Sequence, residues 1–120
     1  DDSQFPFSEY TSLESFARQI DNDKELKTKV LEKFCSFGGR KPSLHVASIL
    51  SELMTDELAK EYSWRGLRNN RNFSELGLLK LIYTCVKKMA RNSIAVTREQ
   101  VKESIESWLR HANDRLKLKA

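Results

Sequence analysis

The sequence predicts an all-α fold, a single compact domain of about six helices without a β-sheet. Apolar residues recur at intervals of three and four through most of the chain, the spacing that places side chains on one face of a helix. Runs that are rich in Val and Ile, alternate in polarity and end at turn residues do not occur. The chain has 120 residues, 39% of them hydrophobic, with four Gly and two Pro. It is therefore long enough to bury a core as one domain, assigned to residues 1–120.

The first two helices are expected to follow an extended or flexible N-terminal segment, residues 1–10. Thr11 and Glu14 have the spacing of a capping box at the start of the first helix. The second helix is expected to begin at residues 22–23 and to end at the glycine pair 38–39, where the left-handed conformation of a helix terminus is accessible. The predicted buried faces are Leu13, Phe16, Ala17 and Ile20, then Leu26, Val30, Leu31, Phe34 and Phe37.

The third and fourth helices follow directly. Pro42 suits the first turn of the third helix, and Thr55 with Asp56 caps a short fourth helix. The helical spacing then lapses, and residues 63–73 are predicted to form a polar, basic loop. The predicted apolar faces are Leu44, Ala47, Ile49, Leu50, Leu53 and Met54, then Leu58, Ala59 and Tyr62.

The fifth and sixth helices complete the predicted fold. Ser74 is expected to cap the fifth helix, with Phe73 and Leu78 placed for a hydrophobic staple. Thr97 and Gln100 form a capping box at the start of the sixth helix. The predicted apolar faces are Leu79, Ile82, Val86 and Met89, then Val101, Ile105, Trp108, Leu109, Ala112 and Leu116.

Side chains that carry catalysis or bind metals are scattered along the sequence. His45 and His111 are far apart, and neither has a Cys or a second His three or four positions away. Both are predicted to be surface or boundary histidines. We therefore expect no metal, no cofactor, no enzymatic activity and no small-molecule substrate.

The two cysteines and the absence of long apolar runs bear on the compartment. Cys35 and Cys85 each lie in a segment with helical spacing of apolar residues. A disulfide between them is formally possible, but two reduced, buried thiols are favoured. The start of the chain is acidic and polar, unlike a secretory signal. No run of about 18 apolar residues occurs, so no membrane partner is expected. These features favour the nucleus or the cytoplasm.

Charge is distributed unevenly along the chain, whose formal net charge is +4. Residues 1–25 contain seven acids and two bases, whereas residues 60–91 contain eight bases and two acids. In the predicted loop, Arg65, Arg68 and Arg71 recur at every third position, which favours contact with phosphates or with an acidic partner. Trp64 can stack on a base, although a place at the edge of the core is favoured.

Two helical segments add further bases. Lys87, Lys88 and Arg91 cluster at the end of the fifth helix, where they either complement the helix dipole or contact phosphates. On the last helix, polar side chains at spacings of three and four form a side opposite the apolar face, with types that reach base edges and phosphates. They are Lys102, Glu106, Arg110, Asn113 and Lys117.

Several stretches of the sequence resemble the BEN domain. They are Ile49 to Ala59, then Ser63 and Gly66, and the later run Leu78 to Ile82 with the basic terminal helix that follows. The sequence is more similar still to a BEN-like C-terminal domain of unknown function, common in arthropod and other animal proteins. The motifs of that family appear here as Phe5-Pro6, Gly38-Gly39, Asp56-Glu57-Leu58-Ala59 through Trp64 and Gly66, and Trp108-Leu109-Arg110-His111-Ala112-Asn113-Asp114-Arg115.

The resemblance implies a helical module of a chromatin or transcription protein in the nucleus. Several BEN domains bind duplex DNA with the last helix in the major groove, a role that falls here on residues 98–119, with residues 65–71 against the phosphate backbone. The predicted DNA contacts are Arg65, Arg68, Arg71, Lys87, Lys88, Arg91, Lys102, Arg110, Asn113 and Lys117. The alternative is a protein-interaction or dimerisation module, nuclear or cytoplasmic, whose basic face binds an acidic segment or a second copy.

Overall fold

The computed structural model describes residues 4–119, and within them the predicted all-α fold is confirmed. The helices are α1 (Tyr10–Asn22), α2 (Lys24–Phe37), α3 (Pro42–Leu53), α4 (Asp56–Ala59), α5 (Leu79–Met89), α6 (Arg98–Arg110) and α7 (Ala112–Lys119). Two short strands, β1 (Tyr62–Ser63) and β2 (Arg71–Asn72), form a parallel pair. Two 3₁₀ turns span Phe73–Leu76 and Ser93–Ala95. The strand pair was not predicted, since two residues are too few to produce an alternating pattern.

Helix α6 lies at the centre of the packing, because it contacts α3, α5 and β1. Its buried residues Val101, Ile105 and Leu109 join the hydrophobic core. Around it, α2 packs against α5, α1 packs against α2, and the short α4 packs against α7. The loop between β1 and β2 and the end of α6 are consequently parts of one region of the surface.

The N-terminal segment is extended and attached to the core. Residues 1–3 of the predicted segment 1–10 lie outside the described residues. The amide of Phe7 donates to the carbonyl of Leu53, and the amide of Thr55 donates to the carbonyl of Phe7, both at 2.9 Å. The ring of Phe7 is buried. This part of the segment is therefore a structural element rather than a flexible leader.

Four of the predicted helix boundaries are confirmed by hydrogen bonds. Asp23 accepts from the amide at the third position of α2, and Thr55 caps α4 in the same way. Thr97 and Gln100 form both hydrogen bonds of a capping box at the start of α6. Gly38 ends α2 with a φ of 56°, in the region that glycine adopts without strain.

Two predicted helix starts are wrong. Helix α1 begins at Tyr10 without a side-chain cap, so Thr11 and Glu14 are its second and fifth residues and do not cap it. Ser74 lies in a 3₁₀ turn, and α5 begins two residues after Gly77 rather than at Ser74. Gly77 has a φ of 71°, and this left-handed residue separates the 3₁₀ turn from the helix.

Helix α3 buries Ile49, Leu50 and Leu53 as predicted, but its first turn differs from the predicted face. Leu44, predicted to be buried, is 50% exposed, whereas His45 is buried. Nε2 of His45 lies 2.8 Å from the carbonyl oxygen of Phe34 on α2. His45 is thus not the surface or boundary residue that was predicted, because a backbone partner on a neighbouring helix allows it to be buried. Met89, also predicted to be buried, is 46% exposed at the end of α5.

The predicted last helix is two helices. His111 separates α6 from α7, with a φ of −95° and a ψ of 9° that lie outside the helical range. Its Nδ1 lies 2.7 Å from the carbonyl oxygen of Ser107, and the side chain is exposed, as predicted. Arg110 therefore lies at the end of α6, and Asn113 lies in the first turn of α7.

Candidate nucleic-acid interface

A groove with a volume of about 500 Å³ lies between the loop that joins β1 to β2 and the junction of α6 with α7. We call it the basic groove, because four basic side chains and a single acid, Glu106, line it. The bases are Lys60, Arg65, Arg68 and Arg110. The structure therefore brings together bases from the two segments that the sequence singled out, the loop and the end of the last long helix.

The loop that forms one wall of the basic groove is stabilised by hydrogen bonds of its backbone amides. The amide of Arg71 donates to the carbonyl of Glu61 at 2.7 Å and closes the loop at its base. The amide of Leu67 donates to Oγ of Ser63 at 2.8 Å. At Gly66, with a φ of 77°, an added Cβ would lie 3.1 Å from the carbonyl oxygen of Asn70, so this tight turn requires glycine.

Two loop residues other than glycine have positive φ angles, Arg68 at 56° and Asn69 at 67°. Asn adopts this left-handed region more readily than most residues, but for Arg it is uncommon. Backbone in such a conformation persists only when its surroundings hold it there. The hydrogen bonds of the loop provide that support, and Arg68 is presented to the groove as a result.

Trp64 lies at the edge of the core, the place that the sequence favoured. Its indole packs against the core through Phe73, with ring centroids 6.1 Å apart and planes tilted by 34°. The side chain is only partly buried and also lines the basic groove. The carbonyl of Trp64 accepts a hydrogen bond of 2.9 Å from the amide of Ser74. An aromatic surface is thus fixed in the wall of a cationic groove.

The opposite wall comes from the end of α6 and the start of α7. Glu106 and Arg110 lie one helical turn apart on α6, and Asn113 follows on α7. Arg110 and Asn113 are exposed, and Glu106 is partly buried. Leu109, which is buried in the core between them, fixes the orientation of this turn.

Arg71 is directed away from the basic groove. Its guanidinium carbon lies 3.1 Å from the centroid of the Tyr10 ring, on α1. It lines a separate cavity together with Glu14, Asp21 and Glu75. The third arginine of the loop therefore faces the acidic N-terminal region, and the sequence prediction that it contacts phosphate has no support from its position.

The basic side chains at the end of α5 also do not line the basic groove. Nζ of Lys87 donates to the carbonyls of Ser93 and Val96, at 2.9 and 3.4 Å, and so stabilises the turn after the helix. Lys88 and Arg91 are exposed but are not among the residues that line the basic groove.

The remaining predicted contacts lie on α6 and α7. Nζ of Lys102 is 3.6 Å from a carboxylate oxygen of Glu99, one turn earlier on α6. Lys117 is exposed on α7, beyond the residues of the groove. Of the ten predicted contacts, Arg65, Arg68, Arg110 and Asn113 line the basic groove.

Sequence reasoning did not assign six of the groove residues to the site, namely Lys60, Tyr62, Ser63, Leu67, Asn70 and Leu109. Asn70 lies inside the loop beside Arg71, and Lys60 is one of the eight bases of residues 60–91, so both were visible in the sequence. Tyr62 lines the groove and is buried. Burial is the main cause that raises the pKa of Tyr62 to about 12, and the nearby charge of Glu14 is the second. Tyr62 is therefore neutral at physiological pH and adds no charge to the groove.

Residues 4–119 offer neither a metal site nor a membrane-spanning helix. No group of three or more His, Cys, Asp or Glu side chains in that range is arranged to hold a metal ion. No helix in the same range is long and apolar enough to cross a membrane. Comparisons with protein-family models, curated proteins and solved structures find no match to this chain. The similarity to the BEN domain thus depends on the sequence motifs alone.

Proposed function

We propose that the chain is a DNA-binding module in which the basic groove and its rim form the contact surface. The main support for the proposal is that the loop between β1 and β2 lies next to the junction of α6 with α7. Arg65, Arg68 and Arg110 consequently line one groove. Arginine pairs with phosphate through two parallel hydrogen bonds, and basic side chains gain affinity by releasing counterions from DNA. No enzymatic activity is part of this proposal.

The distribution of charge supports a defined orientation on DNA. The cavity between α1 and the 3₁₀ turn of residues 73–76 has three acids, Glu14, Asp21 and Glu75, against two bases, Arg18 and Arg71, whereas the basic groove has four bases against one acid. Phosphates repel this acidic region and attract the basic groove, so approach by the groove is favoured. The module is expected to bind with the start of α1 directed away from the DNA.

In this proposal, α6 contacts DNA only at its C-terminal end and does not lie along the major groove. Between Val101 and Leu109 the one fully exposed residue is Glu103, because α3 and α5 pack against this helix. A carboxylate at that position repels phosphates. The phosphate contacts are therefore assigned to the loop and to Arg110 at the end of α6, and the base contact to Asn113 in the first turn of α7.

The resemblance to the BEN domain supports the same assignment. BEN domains occur in nuclear chromatin and transcription proteins, and we extend that location and role to this chain as part of the proposal. Its motifs include Trp64 and Gly66 in the loop wall, and Arg110 in the opposite wall of the basic groove.

One observation favours a second candidate function, the binding of an acidic protein segment. Leu67, at the edge of the basic groove, is 67% exposed. An acidic peptide with one apolar side chain would pair with the arginines and cover this leucine. DNA gains little from contact with Leu67, so the Leu67→Ser variant separates the two functions. Loss of affinity for a partner on this substitution indicates a peptide.

The test is fluorescence anisotropy of a labelled random duplex over a series of salt concentrations. The double variant Arg65→Gln/Arg110→Gln should bind more weakly, with a salt slope lower by about 1.8 for two lost phosphate contacts. The matched control is Lys27→Gln/Lys29→Gln, which removes two exposed charges from α2 and should bind like wild type. Wild-type protein that does not bind duplex at low salt, or two double variants with equal affinity, would refute the proposal.

A further inference from the structure

We propose that the basic groove holds one unpaired nucleotide, with its base against Trp64 and its phosphate between the arginines. This inference rests on the proposed function and specifies the form of DNA that the groove prefers. It goes beyond the binding of regular duplex, because it requires a base that has left the base stack. Such bases occur in single strands, in bulges and in locally opened duplex.

The dimensions of the groove favour a single nucleotide. Pockets for small molecules usually measure about 300–1,000 Å³, and the basic groove, at about 500 Å³, lies within that range. A regular duplex keeps its bases stacked inside and presents a convex phosphate surface. It can therefore contact the rim, at Arg65 and Arg110, but it cannot place a base beside Trp64.

Trp64 has the properties of a stacking platform. The indole packs against Phe73 and the core, and Trp64, which is only partly buried, is one of the residues that line the groove. A side chain held in this way loses little conformational freedom when a base stacks on it. Proteins that bind single-stranded nucleic acid combine such aromatic surfaces with a positively charged groove.

The arginines are placed to hold the phosphate of the same nucleotide. Arg65 and Arg68 come from the loop, and Arg110 comes from the opposite wall, so positive charge faces the groove from both sides. The positive φ of Arg68 and the hydrogen bond from Leu67 to Ser63 set the form of the loop. Binding thus requires little ordering of the backbone.

Three further side chains of the groove can read the edge of the base. The amides of Asn70 and Asn113 both donate and accept hydrogen bonds, whereas the carboxylate of Glu106 only accepts. An exocyclic amine, which cytosine, adenine and guanine carry, is the matching donor, whereas the N3–H donor of thymine lies between two carbonyl oxygens that repel a carboxylate. We therefore expect the groove to disfavour thymine at the unpaired position.

The experiment compares a perfect duplex, the same duplex with one unpaired cytosine, and the single strand. Wild-type protein should bind the unpaired forms about tenfold or more tightly than the perfect duplex. The variant Trp64→Leu should lose this advantage, while Trp64→Phe should retain most of it because the ring is kept. Thermal unfolding of both variants confirms that the fold is intact.

Two additional measurements make the test specific. In a Trp108→Phe background, the fluorescence of Trp64 should be quenched by the duplex with the unpaired cytosine and not by the perfect duplex. An unpaired thymine should bind more weakly than cytosine, and Glu106→Gln should reduce that difference. Equal affinity for perfect and unpaired DNA would overturn the inference and leave the proposed function intact. Failure to bind any DNA would overturn both.

Discussion

The carboxylate of Asp56 on α4 accepts a hydrogen bond of 2.8 Å from Nε of Arg115 on α7. Lys119 adds a second hydrogen bond to the same carboxylate, at 3.1 Å. Arg115 also donates through Nη1 to the carbonyl of Trp108 at 2.8 Å, and its guanidinium carbon lies 4.0 Å from the centroid of that indole. Helix α7 is thereby attached to α4 and α6, and with it Asn113 in the wall of the basic groove.

Replacing Asp56 with Asn should lower the free energy of unfolding by about 1.5–3 kcal/mol, because hydrogen bonds to a charged group are lost. Asp56 is 8% exposed, so water replaces these bonds poorly. Denaturation with urea at neutral pH measures the change. The control is Glu57→Gln, an exposed carboxylate in the same turn of α4, which should change stability by about 0.5 kcal/mol or less. Equal effects of the two variants would contradict the prediction.

The same carboxylate should make stability depend on acid pH. Burial raises the pKa of Asp56, but the hydrogen bonds and charges of Arg115 and Lys119 outweigh burial and hold the pKa below its ordinary value of 3.8. A depressed pKa in the folded state means that the stabilisation is complete above the unfolded pKa and is lost as the pH falls through the folded pKa.

Unfolding free energies of wild type and Asp56→Asn, measured from neutral pH to about pH 2, test this linkage. The difference between the two proteins should be constant near neutrality and should shrink below the ordinary pKa of an aspartate. A difference that stays the same across the whole range would show that Asp56 does not stabilise the fold through its charge.

His45 should contribute to stability, whereas His111 should not. Replacing His45 with Ala leaves the carbonyl of Phe34 without its side-chain partner in a buried place, at a cost of about 1–3 kcal/mol. The exposed His111, replaced with Ala, should change stability by about 0.5 kcal/mol or less. Thermal or urea denaturation of both variants provides the comparison. Similar small losses for both variants would mean that the buried hydrogen bond is unimportant.

The thiol of Cys85 should be unreactive in the folded protein. Burial is the main cause that raises the pKa of Cys85 well above the usual range, and hydrogen bonding with Cys35 is the second. Little thiolate therefore forms near neutral pH. The Cys35→Ser variant isolates Cys85, whose alkylation should be slow in the native state and fast in denaturant. Unfolded wild type should yield two free thiols under non-reducing conditions. A yield of none would indicate a disulfide instead.

Local features of the fold were predictable because they depend on residues close in sequence. The caps at Asp23, Thr55 and Thr97 each join a side chain to an amide three residues later, so the pattern of residue types is sufficient. The four predicted core residues of α1 are all buried for a similar reason, since their spacing fixes a single helix face.

Features that depend on distant partners were not predictable. The burial of His45 requires a carbonyl on α2, and the extended backbone of Phe7 requires hydrogen bonds with residues 53 and 55. Neither partner can be inferred from nearby sequence. A helix face assigned by hydrophobicity alone therefore placed Leu44 in the core and His45 outside it, the reverse of the structure.

The types of residue in the candidate site were predictable from the sequence, but their arrangement around one groove was not. The sequence displays the charges of Arg65, Arg68 and Arg110, but their meeting in one groove depends on the packing of α6 against β1. Arg71 has the same spacing as the other loop arginines, yet it stacks on Tyr10. Spacing in a loop does not determine direction, because each backbone conformation turns the next side chain differently.

The central position of α6 has a consequence for biosynthesis. Helices α3 and α5 are synthesised before α6, and much of their apolar surface is covered only when α6 packs against them. A nascent chain that ends before Val101 therefore leaves the ribosome with exposed apolar faces, which are targets for chaperones and proteases. The core is complete only after the segment through Leu109 has emerged, because Val101, Ile105 and Leu109 are part of it.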